Sequence, residues 1–220
     1  MQIKVLKDIM AANTENAGAN QARLDASGIL GINIMASPGA GKTTFILATI
    51  DSLGQDVRVG VIEGDIASQI DSEKVAQKGA PVVQINTGGG CHLDAGQVAA
   101  GLDNLPLDQI DVLFIENVGN LVCPSEFKLG EHLRIVLLSV PEGDDKPFKY
   151  PGMFASADVV IVTKIDIMPY FDFDLERFKR AVEGLKHGVQ IFPLSARTGE
   201  GFSDWTDFLR SQLRLREAQM

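Results

Sequence analysis

Cysteine, histidine and aromatic residues are scarce in this chain. Two cysteines and three histidines occur among 220 residues, and aromatic residues make up 6%. So few cysteines exclude a disulfide-rich secreted scaffold, and the low aromatic content gives no indication of a base-stacking surface. No apolar run is long enough to span a bilayer, and the N-terminal segment lacks the apolar core of a signal peptide. We expect a cytoplasmic protein with neither membrane nor nucleic acid as partner.

Basic residues are also in deficit. Twenty Lys and Arg stand against 29 Asp and Glu, which gives a formal net charge of −9. Such a chain repels polyanions on average, so an anion has to be bound locally by directed N–H groups. The length suits one α/β domain. We predict a helical arm over residues 1–27 and a single domain over residues 28–220.

From Gly28 onward, short runs rich in Val, Ile and Leu alternate with helical patterns. Near-continuous apolar strands that alternate with helices indicate an α/β fold with a mostly parallel, doubly wound sheet. The stretch 141–152 has three prolines and no apolar period, which predicts a long exposed loop. The predicted strands are 29–36, 57–63, 82–86, 111–116, 133–140, 158–163 and 189–193, and the predicted helices are 41–53, 68–79, 93–103, 173–187 and 202–216.

The first predicted strand runs into a glycine-rich turn typical of P-loop NTPases. Gly39 and Gly41 let backbone N–H groups converge on phosphate oxygens, and Lys42 reaches the β- and γ-phosphates. The consensus has glycine where this chain has Ala36, but the Gly-Lys-Thr end is intact. We predict that the nucleotide phosphates are bound by Ser37, Pro38, Gly39, Ala40, Gly41, Lys42, Thr43 and Thr44.

Two later strand ends favour guanine as the base. Thr163-Lys164-Ile165-Asp166 follows an apolar strand, where ligands bind in open α/β sheets. A carboxylate at Asp166 accepts from both N1–H and N2–H of guanine, and adenine offers neither donor. Lys164 would support the base and the P-loop. Ser195-Ala196-Arg197 resembles the GTPase loop whose backbone N–H meets guanine O6, so we predict GTP rather than ATP.

Carboxylates end two further strands at the same edge, in Glu63-Gly64-Asp65 and Glu116-Asn117-Val118-Gly119. We expect Gly119 to donate its N–H to the γ-phosphate. Mg²⁺ would be held by the Thr43 hydroxyl and by carboxylates that the sequence does not distinguish, with Asp71 entering when GTP orders the segment. The predicted catalytic residues are Lys42, Asp65, Asp71 and Glu116, and the predicted Mg²⁺ ligands are Thr43, Asp65, Asp71 and Glu116.

Both cysteines lie beside these segments. Cys91-His92 follows three glycines after strand 82–86, and Cys123 lies seven residues after Glu116. Two thiolates and an imidazole suit Zn²⁺ or Ni²⁺ rather than Mg²⁺. Neighbours on a strand point to opposite faces, so Cys91 and His92 must lie on a turn or helix start to share one ion. Three ligands are one short of a closed zinc site, which predicts an open site or one shared across a two-fold dimer.

Taken together, ASPGAGKTT, EGD, GGGCHLDA, ENVGNLVCP, the KPFKYP loop and TKID resemble the HypB family, the nickel-incorporation GTPases of hydrogenase maturation. The resemblance extends from about Asn13 to the C-terminus, and its most specific parts are the Cys-His pair and ENVGNLVCP. It implies slow hydrolysis of GTP to GDP and phosphate, a GTP-dependent homodimer, and Ni²⁺ or Zn²⁺ at Cys91, His92 and Cys123. It also implies metal delivery to the large subunit of nickel-iron hydrogenase with a small zinc-containing maturation helper.

Three alternatives stay open at this point. A urease-type or cobalamin-enzyme accessory GTPase would keep the P-loop but lack the GGGCH and ENVGNLVCP contexts. A metal store or sensor would have a vestigial nucleotide site, and a metabolite kinase would need an acceptor site, for which no motif is visible.

Lys146 or Lys149 either reaches a phosphate in another subunit, as arginine fingers do, or is a solvated side chain.

Overall fold

The computed structural model describes residues 9–65 and 70–218. Residues 1–8 of the predicted arm, residues 66–69 of the segment that precedes Asp71, and residues 219–220 lie outside the described residues. No helix in the described ranges has both the length and the apolar content needed to cross a bilayer.

Helices and strands alternate along the described ranges. All seven predicted strands and the five predicted helices are confirmed, with boundaries within two residues of the prediction. The strands are β1 (Leu30–Ala36), β2 (Val59–Asp65), β3 (Val82–Asn86), β4 (Val112–Glu116), β5 (Leu133–Ser139), β6 (Val159–Thr163) and β7 (Gln190–Pro193). The helices are α1 (Ile9–Ala26), α2 (Lys42–Leu53), α3 (Ile70–Gln77), α4 (Ala95–Leu102), α5 (Lys146–Lys149), α6 (Pro151–Ser156), α7 (Leu175–Leu185) and α8 (Phe202–Glu217).

The strands form one parallel sheet in the order β3-β2-β4-β1-β5-β6-β7, which confirms the doubly wound fold. Alternate residues of each strand enter the cores on its two faces. Phe114, for example, packs with α2 and α8 around Trp205, whereas Leu113 on the other face packs with α1 and α4. The sheet is therefore buried on both faces, which explains the near-continuous apolar strand sequences.

Because the strands run in one direction, their carboxyl ends meet at one edge. Each predicted site segment follows a strand at this edge: the glycine-rich turn after β1, Asp65 at the end of β2, the Cys91 turn after β3, Glu116 at the end of β4, Thr163 at the end of β6 and Ser195 after β7.

The prediction of an exposed loop over residues 141–152 is wrong. The segment contains a 3-10 turn, α5 and the beginning of α6, and Pro147 is buried. Pro147 and Pro151 lie in the first turns of α5 and α6, where a helix has no intrahelical partner for the N–H that proline lacks. Prolines therefore begin these helices instead of excluding them.

The two lysines of this segment contact their own neighbours. Lys149 Nζ lies 2.5 Å from the Asp145 carboxylate, and Lys146 Nζ lies 5.4 Å from the centre of the Tyr150 ring.

The N-terminal helix α1 packs against α4 and the start of β1. The division of the chain into an arm over residues 1–27 and a domain over residues 28–220 stays a prediction.

Candidate functional site

The turn between β1 and α2 has the form of a phosphate cradle. α2 begins at Lys42, directly after Gly41, whose φ of 97° lies in the left-handed region that glycine tolerates. The first N–H groups of a helix have no intrahelical partner, and the positive end of the helix dipole adds to their attraction for phosphate oxygens. The arrangement is suited to an anion despite the acidic character of the chain.

The end of β6 holds this turn in place. Thr163 Oγ1 donates to the Ala40 carbonyl at 2.7 Å, and Lys164 Nζ donates to the Gly39 carbonyl at 2.8 Å. Lys164 itself has a φ of 62°, a conformation that costs a non-glycine residue on the order of 1–3 kcal/mol. Lys164 thus contacts the P-loop as the sequence analysis expected.

Glu142 supports the other side of the turn and was not among the predicted site residues. Its carboxylate accepts from Ser37 Oγ and from both the N–H and the hydroxyl of Ser139, each of the latter at 2.8 Å. Ser139 and Glu142 have the spacing of a capping box, the signal from which this pairing could have been inferred.

A cavity of about 300 Å³ lies beside the P-loop, and the residues predicted to bind the base line it. Asp166 Oδ1 accepts from Ser195 Oγ at 2.7 Å, and Arg197 Nη1 lies 3.7 Å from the other carboxylate oxygen. The side chain of Asp166 is only 13% exposed. The structure thus brings the two separate sequence segments to one cavity, and the base they select stays a prediction.

Two buried glutamates, near enough to Lys42 to feel its charge, lie on neighbouring strands. Glu63 and Glu116 are register partners at the ends of β2 and β4, and they are 3% and 5% exposed. Thr43 Oγ1 donates to Glu116 Oε1 at 3.0 Å, whereas Oε2 of each glutamate has no hydrogen-bond partner among the described residues. Burial raises the pKa of Glu116 to about 7, with Lys42 opposing and Glu63 adding to the rise. Burial likewise raises the pKa of Glu63.

These oxygens fit a hard divalent cation. Mg²⁺ prefers oxygen donors and is commonly held by one or two carboxylates together with substrate phosphates. Thr43 and Glu116 would hold it, with the orphaned Glu116 Oε2 as a donor, and Asp65 at the end of β2 is a second candidate carboxylate. Asp71 lies further out on α3, where its carboxylate pairs with Lys74 at 2.7 Å. Glu63 is the addition that only strand pairing reveals, because the sequence does not show that it stands opposite Glu116.

Cys91, His92 and Cys123 form a cluster at the same edge. Their ligand atoms all lie within 4.8 Å of one another, and Cys91 Sγ is 3.5 Å from His92 Nδ1. Cys91 and His92 lie outside the regular elements, in the turn between β3 and α4. The geometry that the sequence required for sharing one ion is therefore present.

The protonation states of the cluster depend on its neighbours. A hydrogen bond with Cys123 raises the pKa of the Cys91 thiol, and burial lowers the pKa of His92. The His92 ring packs on Phe127 with the ring centres 4.0 Å apart. A neutral imidazole is the form that binds a metal, and the thiols release their protons when the metal binds.

The segment after β4 connects the cluster to the P-loop. Asn120 N donates to the Ala36 carbonyl at 2.8 Å, and Asn120 Nδ2 donates to the Cys91 carbonyl at 3.2 Å. Gly119 packs on the P-loop so closely that a Cβ there would lie 2.9 Å from the Pro38 nitrogen. One short segment therefore contacts both the glycine-rich turn and the backbone of Cys91 in the Cys/His cluster.

Arg134 holds the turn that carries Cys123. Its guanidinium donates to the carbonyls of Pro124, Ser125 and Phe127, at 3.3, 2.9 and 2.6 Å, and pairs with the buried Glu131 at 2.7 Å. Arg134 was not among the predicted site residues, because a single arginine inside an apolar strand has no local signature.

Comparison with known proteins finds a matching family and several similar sequences. Residues 31–193 match the family described as CobW/HypB/UreG, nucleotide-binding domain. The chain is 43% identical over 210 residues to the hydrogenase maturation factor HypB of Escherichia coli K12, covering 96% of this chain and 72% of that one. It is 40% identical over 216 residues to the hydrogenase/urease maturation factor HypB of Helicobacter pylori J99, covering 96% and 88%.

Solved structures of HypB proteins are also similar to this chain. A crystal structure of HypB from Helicobacter pylori in complex with nickel matches with a TM-score of 0.89 and 40% identity, covering 92% of this chain and 95% of that one. HypB from Archaeoglobus fulgidus matches with a TM-score of 0.86 and 39% identity, covering 92% and 99%. A LAO/AO transport system kinase, at 16% identity and a TM-score of 0.59, shares the fold alone.

Replacement of Glu116 tests whether burial raises the pKa of its carboxyl group. The pKa of about 7 in the folded protein lies above the ordinary value of 4.5, so the folded protein keeps a proton that the unfolded chain releases. The free energy of unfolding therefore falls as the pH rises from about 4.5 to 7. Glu116→Gln should remove this loss and be more stable than wild type by up to about 3 kcal/mol at pH 8, with little difference near pH 4.5.

The measurement is denaturant unfolding at both pH values with a chelator present. Exposed Glu200→Gln serves as the control position. Equal stability of Glu116→Gln and wild type at pH 8 would contradict the raised pKa.

Proposed function

Because this chain belongs to the HypB family of hydrogenase maturation factors, we propose that it is a GTP-hydrolysing metallochaperone with Ni²⁺ as its cargo. The observation that carries the proposal is the double contact of Asn120, whose backbone bonds to the P-loop residue Ala36 and whose side chain bonds to the ligand residue Cys91. A nucleotide site and a soft-metal site that share one segment can respond to each other, which neither a plain store nor a metabolite kinase requires.

Nickel is the proposed cargo because of the donor set and the relatives. Two thiols and an imidazole within 4.8 Å of one another are soft and borderline ligands, which Ni²⁺ and Zn²⁺ favour over Mg²⁺. The Helicobacter pylori protein, at 40% identity, crystallised in complex with nickel. We infer that Cys91, His92 and Cys123 hold Ni²⁺, with Zn²⁺ as a competitor for the same site.

GTP is the proposed nucleotide, and Asp166 is the residue that selects it. Its partly buried carboxylate, in the cavity beside the P-loop, would accept both donors of the guanine Watson–Crick edge. Lys42 and the first N–H groups of α2 would bind the phosphates, and Gly119 would donate to the γ-phosphate. Mg²⁺, when bound, supplies positive charge against the phosphate oxygens, and Thr43 with Glu116 or Asp65 would hold it.

The proposed coupling follows from these contacts. GTP would attract the 63–71 and 116–123 segments toward the γ-phosphate, which would bring Cys91, His92 and Cys123 into a tight site that a second copy of the chain completes. Hydrolysis would loosen the segments and release the metal. Linkage is reciprocal, so bound metal must change GTP affinity or dimerisation by the same free energy, about 1–3 kcal/mol in typical cases.

The recipients follow from the family. We propose delivery to the large subunit of nickel-iron hydrogenase in the cytoplasm, with a small zinc-containing maturation helper, since relatives of this chain bear the name hydrogenase maturation factor. Urease is a second candidate recipient, supported by the name of the Helicobacter pylori relative, hydrogenase/urease maturation factor.

A metal titration with and without a GTP analogue tests the proposed coupling. A non-hydrolysable analogue with Mg²⁺ should change Ni²⁺ affinity about 5- to 150-fold and raise the molar mass to that of a dimer. Chelator competition combined with light scattering measures both. Cys91→Ala should lose Ni²⁺ binding and keep its affinity for the analogue. Unchanged Ni²⁺ affinity and unchanged mass in wild type would rule out the coupling.

Asp166→Asn tests the choice of base. The asparagine amide cannot accept both guanine donors, so GTP affinity should fall by roughly 100-fold or more, whereas xanthine, with a carbonyl in place of the 2-amino group, should gain. Nucleotide competition with GTP, ATP and XTP measures the preference. If Asp166→Asn retains wild-type GTP affinity, the cavity is not the guanine site.

Asn120→Ala tests the shared segment directly. The substitution removes the side-chain bond to the Cys91 carbonyl and the one accepted from Val122 N, and leaves the backbone bond to Ala36 in place. We expect the ratio of Ni²⁺ affinities with and without GTP analogue to fall toward one, with GTP affinity itself within about threefold of wild type. Asn104→Ala is the matched control, because the side chain of that exposed asparagine, just after α4, donates to the Ala100 carbonyl of that helix. A wild-type ratio in Asn120→Ala would show that the coupling runs elsewhere.

A further inference from the structure

The buried face of α1 contains two asparagines, an unusual choice for a helix core. Asn13, Ala17, Asn20 and Leu24 recur at helical spacing and are all buried, with Asn13 and Asn20 exposed by 7% and 3%. Asparagine is a poor helix former, and burying its amide is costly unless the amide is hydrogen-bonded. Their presence calls for specific partners.

Those partners are backbone groups of the two segments that carry the metal ligands. Asn13 Oδ1 accepts from Ala95 N at 2.8 Å, and its Nδ2 donates to the Lys128 carbonyl at 2.8 Å. Asn20 Nδ2 donates to the Ala95 carbonyl at 2.8 Å and to the Leu129 carbonyl at 2.9 Å. Both backbone groups of Ala95 are thus bonded to α1, and each asparagine connects Ala95 with the 128–129 strip.

The residues that bond to Asn13 and Asn20 lie close to the proposed metal ligands, Ala95 near His92 and residues 128–129 near Cys123. Ala95 lies three residues after His92, at the first turn of α4. Lys128 follows Phe127, whose ring packs on His92 at 4.0 Å. Between Cys123 and Phe127 the backbone forms a 3-10 turn whose carbonyls are held by Arg134. A shift of the 128–129 strip relative to Ala95 would therefore move Cys123 relative to His92.

Gly130 shows how closely α1 approaches this strip. A Cβ at Gly130 would lie 2.5 Å from Asn20 Cβ and 2.8 Å from the Ala17 carbonyl, and its φ is +102°. Any other residue there would push α1 away from the strip.

We infer that α1 is a positioning element of the metal site, with Asn13 and Asn20 holding the His92 and Cys123 segments at the spacing that one ion requires. The inference rests on the proposed metal binding by Cys91, His92 and Cys123 and goes beyond it, because none of those ligands belongs to α1. Groups that orient metal ligands typically change metal affinity about 10- to 100-fold when they are removed.

The test is a Ni²⁺ titration of the full chain, followed by the thiolate-to-nickel charge-transfer absorption and by chelator competition. Asn20→Ala, which loses two amide bonds, should bind Ni²⁺ about 10-fold more weakly, with an altered absorption band. Asn13→Asp keeps an acceptor for Ala95 N and loses the donor to Lys128, so it should show a smaller change in the same direction. It also provides the result if Asn20→Ala does not fold.

Asp25→Ala is the control for stability alone. Asp25 lies in the last turn of α1 and pairs with Arg216 and His132, at 2.7 and 3.2 Å, rather than with Ala95 or residues 128–129. Its replacement should lower the melting temperature and leave Ni²⁺ affinity and the absorption band unchanged. Wild-type Ni²⁺ affinity in the asparagine variants, or an equal weakening in Asp25→Ala, would overturn the inference and leave α1 a purely structural helix. If wild type and Cys91→Ala bind Ni²⁺ alike, the proposed function itself fails.

Discussion

Two backbone hydrogen bonds continue the β1–β4 pairing beyond the end of β4, and the site depends on them. Asn117 N donates to the Ile34 carbonyl at 3.0 Å, and Asn120 N donates to the Ala36 carbonyl at 2.8 Å. They keep the segment after β4 beside β1 instead of letting it leave the sheet. As a result Glu116, Gly119 and the turn before Cys123 all stay within reach of the phosphate cradle.

A buried polar network extends from this point to both ligand segments. Asn117 Oδ1 accepts from Leu93 N, the residue after His92, and Asn117 Nδ2 donates to Asn33 of β1. Asn33 bonds in turn to Glu131, which pairs with Arg134 beneath the Cys123 turn. Buried polar groups are costly unless they are bonded, and bonded ones specify a single arrangement. The cluster is therefore organised by a network that crosses the central strand, with α1 bracing it from outside.

Local sequence signals were sufficient where one segment determines its own structure. The buried strands are recognisable because a strand covered on both faces is apolar at nearly every position, and the glycine-rich turn is recognisable because its backbone geometry demands particular residues. Local signals were misleading for residues 141–152, which form helices where a loop was predicted. Proline disfavours a helix interior and favours a helix start, so the three prolines alone do not distinguish a loop from two short helices.

Local sequence signals do not reveal contacts between residues that are distant in the chain. Glu63 faces Glu116 only because β2 pairs with β4, and Asn13 reaches Lys128 across 115 positions of the chain. Glu142 is intermediate, since a local capping box predicts its bond to Ser139 but not its bond to Ser37.

By itself, the sequence determined the fold class and the glycine-rich turn, because each depends on residue types within a few positions of one another, and it singled out Cys91, His92 and Cys123 as candidate ligands of a soft metal. The tertiary structure alone decided that the thiols and imidazole share one space, that Asn120 bonds to both Ala36 and Cys91, and that α1 bonds to Ala95 and residues 128–129. The physical reason is that those contacts depend on strand order and helix packing, which no short window of residues encodes.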